Sequence, residues 1–72
     1  MSAAATISVS LNGEPRELAA GTTVAQLVQS LPGSAGRVAV EVNRVIVPRS
    51  THAQHSLAAD DVIEIVTFVG GG

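Results

Sequence analysis

Cysteine, lysine, tryptophan and tyrosine are all missing from this 72-residue chain, and phenylalanine occurs once. Without cysteine there is no disulfide, no thiolate metal site and no thiol nucleophile. The basic residues are four arginines, Arg16, Arg37, Arg44 and Arg49, set against six acidic residues. Scattered in this way they form no cationic stripe for a phosphate backbone, so nucleic acid is excluded as a partner. No apolar run approaches the ~20 residues that span a bilayer, and Met1–Ala5 has neither the positive flank nor the apolar stretch of a leader. The expectation is a cytoplasmic protein. A chain of this length holds one domain, and it is long enough to fold without a staple.

What is present is patterned. Ile7, Val9 and Leu11 alternate with Thr6, Ser8 and Ser10, the period of a half-buried strand. Asn12-Gly13 then supplies a dipeptide that takes the positive φ angles of a tight hairpin, and Arg16-Glu17-Leu18 pairs back. Thr23 and Gln26 have capping-box spacing, and Val24, Leu27, Val28 and Leu31 follow at the i, i+3, i+4, i+7 positions of one helix face. Pro32-Gly33 ends that helix.

A third strand is predicted over Val38–Val42, with Glu41 facing away from the three valines. Asn43-Arg44 turns the chain into Val45-Ile46-Val47, closed by Pro48, and the inward face of that short run is open. Arg49 to Asp61 reads as loop with a helical turn. The last strand runs from Val62 to about Phe68, its charge placing Glu64, Val66 and Phe68 outward and Ile63 and Ile65 inward.

Two strands, a helix and three more strands predict an α+β domain, a mixed sheet of four to five strands over one helix with the first and last strands parallel at its centre. This is a β-grasp arrangement over residues 1–72, with 1–5 expected to be disordered and 69–72 a flexible tail. That tail, Val69-Gly70-Gly71-Gly72, lacks β-carbons at three successive positions and extends to roughly 10 Å, a thin stem able to enter another protein's active site.

Other constellations are weaker. His52 and His55, three apart, offer two metal ligands where a stable zinc site needs three or four, and are read as solvated loop residues. Asp60-Asp61 reads as a polar turn rather than a magnesium site. Val66, Phe68 and Val69 place apolar groups beside the tail, where a partner would grip. No nucleophile, base and orienting acid form a recognisable set, which argues against a hydrolase.

Val38-Ala39-Val40-Glu41-Val42-Asn43, Ile46-Val47-Pro48-Arg49-Ser50 and Asp61-Val62-Ile63-Glu64-Ile65-Val66, followed by the Val69–Gly72 tail, resemble the ThiS family, the ubiquitin-like sulfur carriers of thiamine biosynthesis. The resemblance runs from Ile7 to Gly72. It implies that the chain is a protein co-substrate rather than an enzyme, monomeric when free, with no bound cofactor or metal.

On that reading the Gly72 carboxylate is adenylated by a partner enzyme using ATP and magnesium. A persulfide donor then converts it to a thiocarboxylate, and thiazole synthase takes the sulfur. The chain departs from the family pattern at Arg44 and Asp60, where glycine is common, and at Val45 and Val62, where polar residues are common. The first pair implies strain at 44, the second a larger apolar surface.

Carriers of other pathways share fold and tail. Small subunits of molybdopterin synthase tend to have a proline-containing segment before the glycines, which Thr67-Phe68-Val69 lacks, and a cysteine-pathway carrier stays open. A β-grasp interaction module without tail chemistry is the alternative of another class.

Overall fold

The computed structural model describes residues 5–32 and 37–68, the side chains of Arg37 and Phe68 apart. The expectations for 1–4 and for the tail 69–72 fall outside these residues. Within them the order is β1 (Thr6–Leu11), β2 (Glu14–Ala19), α1 (Val24–Ser30), β3 (Arg37–Val42), β4 (Val45–Val47) and β5 (Val62–Phe68). The sheet order is β2-β1-β5-β3-β4, so the last strand is central. It pairs parallel with β1 through Ser10↔Val62 and Leu11↔Ile63, and antiparallel with β3 from Arg37↔Phe68 to Val42↔Ile63.

Both hairpins have two-residue turns led by asparagine. Asn12 and Gly13 have φ of 50° and 84°, and Asn43 and Arg44 have 53° and 69°, so each turn has two successive left-handed residues, matching the twist of its strands. Arg44 carries the strain expected of it, since a side chain in this region costs roughly 1 kcal/mol. Asp60, at φ 70°, occupies a second such position.

One face of the sheet is covered by α1. Alternation turns Val9, Leu11, Val40, Val42, Ile63 and Ile65 inward, where they meet Val24, Leu27 and Val28 of the helix. Of the β4 side chains only Val47 is buried, which settles the inward position of that strand. Leu57, from the long loop, completes the core.

Seven residues are too few for α1 to stand alone, and its first turn is stabilised from outside. The Thr23 hydroxyl accepts from the Gln26 N–H at 3.2 Å while the Gln26 side chain accepts from the Thr23 N–H at 2.9 Å, the capping box its spacing predicts. The N–H groups of Val24 and Ala25 donate to the carbonyls of His55 (2.9 Å) and His52 (3.0 Å). Every orphan donor of that turn is thereby satisfied.

His52 corrects the expectation of a solvated loop residue. It is 8% exposed, and its Nε2 lies 3.0 Å from the Val47 carbonyl. The 3₁₀ turn Arg49–Thr51 folds the loop back under the helix, so the ring closes the core instead of facing water. His55 is half-buried.

Ile65→Ala should lower stability by ~2–5 kcal/mol, as expected for a buried branched side chain, and Glu64→Ala by less than about 0.5 kcal/mol. Denaturant titration of the two variants checks this. Equal losses would place β5 in the wrong register.

Candidate functional site

The chemistry expected of the tail lies outside the described residues, and what these show is how the strand before it is held. The strand leading to it, β5, is gripped from both sides by the two turn asparagines. On one side Asn43 donates its backbone N–H to the Val62 carbonyl (2.8 Å), while its Oδ1 accepts from the Val62 N–H at 2.9 Å. Its Nδ2 donates to Asp61 Oδ1 at 3.0 Å.

On the other side the Asn12 N–H donates to the Ile63 carbonyl (2.8 Å), Oδ1 accepts from the Ile65 N–H (2.8 Å) and Nδ2 donates to the Ile65 carbonyl (3.3 Å). The Asn12 amide thus takes the place of a further β1 residue where the backbone has turned away. Asparagine suits both tasks, tolerating left-handed φ and offering a donor and an acceptor on one short side chain.

Asp61 is bound into the same corner. Its Oδ2 accepts from the Ala58 N–H at 2.8 Å, closing the turn into β5. The acidic pair is therefore a polar turn, and no group of three or more metal-ligating side chains exists among the described residues. His52 and His55 are committed to core and loop instead: their carbonyls cap α1, and the His52 ring bonds to Val47.

The face of the sheet away from α1 is open. Val66, Val62 and Ile46 on it are 56%, 49% and 64% exposed, whereas Val45, 65% exposed, pairs with Val42 and shares the helix side of the sheet with Val47, so the two apolar departures lie on opposite faces and do not join into the one larger surface expected of them. The Phe68 backbone pairs with Arg37. The placements expected of the Phe68 side chain, Val69, Gly70, Gly71 and Gly72 lie outside the described residues. No helix among the described residues is long and apolar enough to cross a membrane.

A five-stranded mixed sheet with parallel first and last strands, folded over one helix, defines a ubiquitin-like β-grasp domain. The ThiS family model matches residues 9–72. A crystal structure of a thiamine biosynthesis protein (ThiS) from Geobacter metallireducens superposes with a TM-score of 0.77 at 28% identity, covering 92% of this chain and 100% of that one.

The chain is 32% identical over 66 residues to the sulfur carrier protein ThiS of Escherichia coli, covering 92% of this chain and 100% of that protein. It is 44% identical over 66 residues to the thiazole synthase of Magnetococcus marinus, 92% of this chain and 20% of that protein. Against the thiazole synthase of Paramagnetospirillum magneticum the identity is 45% over 62 residues, 86% of this chain and 19% of that protein. The chain spans only about a fifth of the length of these two synthases. It belongs to the ThiS family.

Asn12→Ala removes two hydrogen bonds and leaves the Ile65 amide without a partner, so stability should fall by about 1–3 kcal/mol. Amide hydrogen exchange at Ile65 should accelerate by at least as much as the global loss implies. An Ile65 amide no faster than in the parent would mean that the Asn12 side chain is not its partner in solution.

Proposed function

We propose that this chain is a sulfur carrier of thiamine biosynthesis, a protein co-substrate whose reactive group is the Gly72 carboxylate. The observation that carries the reading is the family match, which runs through the last strand to residue 72 and so includes the glycines. The thiazole synthases matched over about a fifth of their length support the choice of the thiamine pathway and of thiazole synthase as the sulfur acceptor.

The chemistry follows from the weakness of a carboxylate as an electrophile. Attack of the Gly72 carboxylate on the α-phosphate of ATP, on an adenylating enzyme that binds the nucleotide with magnesium, expels pyrophosphate and leaves an acyl adenylate. The terminal sulfur of a persulfide donor attacks the acyl carbon and AMP departs. A thiol then cleaves the remaining S–S bond reductively, releasing the glycyl thiocarboxylate. Thiazole synthase takes that sulfur into the thiazole ring. The carrier supplies no catalytic group: it contributes recognition by the folded domain and reach by Gly70 and Gly71.

Incubation with ATP, the adenylating enzyme and a persulfide donor should raise the intact mass by the difference between sulfur and oxygen. Deleting Gly72, or adding one residue after it, should abolish that gain with an unchanged melting curve. Misplacement by ~1 Å already costs about a hundredfold in an oriented reaction. Normal loading of the extended chain without trimming would sink the reading.

Val66, Phe68 and Val69 form the proposed contact with the adenylating enzyme. Phe68→Ala should weaken docking by ~2 kcal/mol or more, the range of an aromatic anchor, with little change in melting temperature. Calorimetric titration beside a melting curve tests this, and unchanged affinity of a folded variant removes Phe68 from the interface.

A further inference from the structure

The open face of the sheet holds an arrangement that stability alone does not favour. Glu41 of β3 and Glu64 of β5 stand directly opposite each other in the antiparallel register. Opposed side chains in such a pair have Cβ atoms about 4.5–5.5 Å apart, and like charges so placed are destabilising. The register puts no arginine next to them: Ile46 faces Glu41 from β4, while Val62 and Val66 flank Glu64 along β5.

Ile46 and Val66, both more than half exposed, line a shallow groove of ≈ 290 Å³ with Ala39 and the two glutamates. Ile46 and Val66 would be poor choices for a purely solvated face, and two facing carboxylates would be a poor choice for a purely structural one. Apolar side chains around a concentrated negative charge are complementary to a cation carried on an apolar surface. A planar guanidinium, weakly hydrated and able to donate to two carboxylates at once, meets that description better than an ammonium.

We propose that this groove docks thiazole synthase through an arginine of the synthase, seated between Glu41 and Glu64 with an apolar neighbour against Ile46 and Val66. The inference rests on the carrier reading above. The occupant follows from two observations. The groove lies on β5, the strand that leads directly to the tail, so whatever grips it receives the reactive end. Proteins named thiazole synthase include a stretch matching this chain, which ties such a domain to a synthase.

The test is equilibrium binding of the full chain to thiazole synthase, with three variants. Glu41→Gln/Glu64→Gln should weaken binding by about tenfold or more and flatten its salt dependence, while the melting temperature rises or holds because the repulsion is gone. Ile46→Ser should also weaken binding without unfolding the domain. Glu17→Gln, an acidic change on the same sheet face in β2, paired across from Ser8, should leave affinity unchanged.

Parent-like binding by the double variant overturns the proposal, as does an equal loss from Glu17→Gln, which would indicate only general attraction. Loss of affinity for the adenylating enzyme alone, with the synthase still bound, overturns it too. Sulfur loading of the parent, followed by intact mass, keeps the two readings apart. A parent that loads normally while groove variants bind the synthase as the parent does removes the groove and leaves the carrier standing. A parent that never loads removes the carrier reading itself.

Discussion

Everything in this domain depends on β5 being held at the centre of the sheet. Its residues Ile63 and Ile65 reach the core on one face, and its backbone is bonded on one edge to β1 and on the other to β3. The parallel pairing with β1 is short, two residue pairs, and would end at Ile63 if backbone alone were available. Asn12 extends it to Ile65, and Asn43 fixes the strand's entry at Val62. Two side-chain amides thus supply hydrogen bonds that two hairpin turns had taken out of the ladder. Each does so from a position that the turn itself already reserves for asparagine.

Much of this was legible in the sequence because the signals were periodic. Alternation in Thr6–Leu11 and around Glu64 assigned the faces of β1 and β5, and the spacing of Val24, Leu27 and Val28 assigned the buried face of α1. Asn12-Gly13 and Asn43-Arg44 were readable as turns from their residue types. Arg44 and Asp60 stand out only against a family pattern, and both prove to have left-handed φ.

What escaped had no period. A histidine in a stretch of Ser, Thr, Gln and Ala looks solvated, and nothing local says that a 3₁₀ turn will carry His52 beneath the helix. The side-chain bonds of Asn12 and Asn43 to a strand 19 to 53 positions away are likewise invisible to any local reading. The tail was conspicuous for the opposite reason, three successive glycines offering no side chain to pack. Val45 and Val62 stood out as apolar departures from the expected family pattern, and both are exposed, Val62 on the open face and Val45 at the edge of the helix side.

The meeting of first and last strands also bears on how the protein is made. With β5 between β1 and β3, neither outer part of the sheet joins the other until the last strand has been synthesised. Chains of this topology carry many contacts between distant positions and complete their structure late. On the ribosome, a nascent chain that stops before Val62 has a helix without a full floor and two hairpins without a common neighbour. Such products remain open to proteolysis, whereas a chain that has closed its sheet has necessarily extended through the strand that leads to the glycines. Assembly of the fold therefore acts as a check on the length of the translated chain.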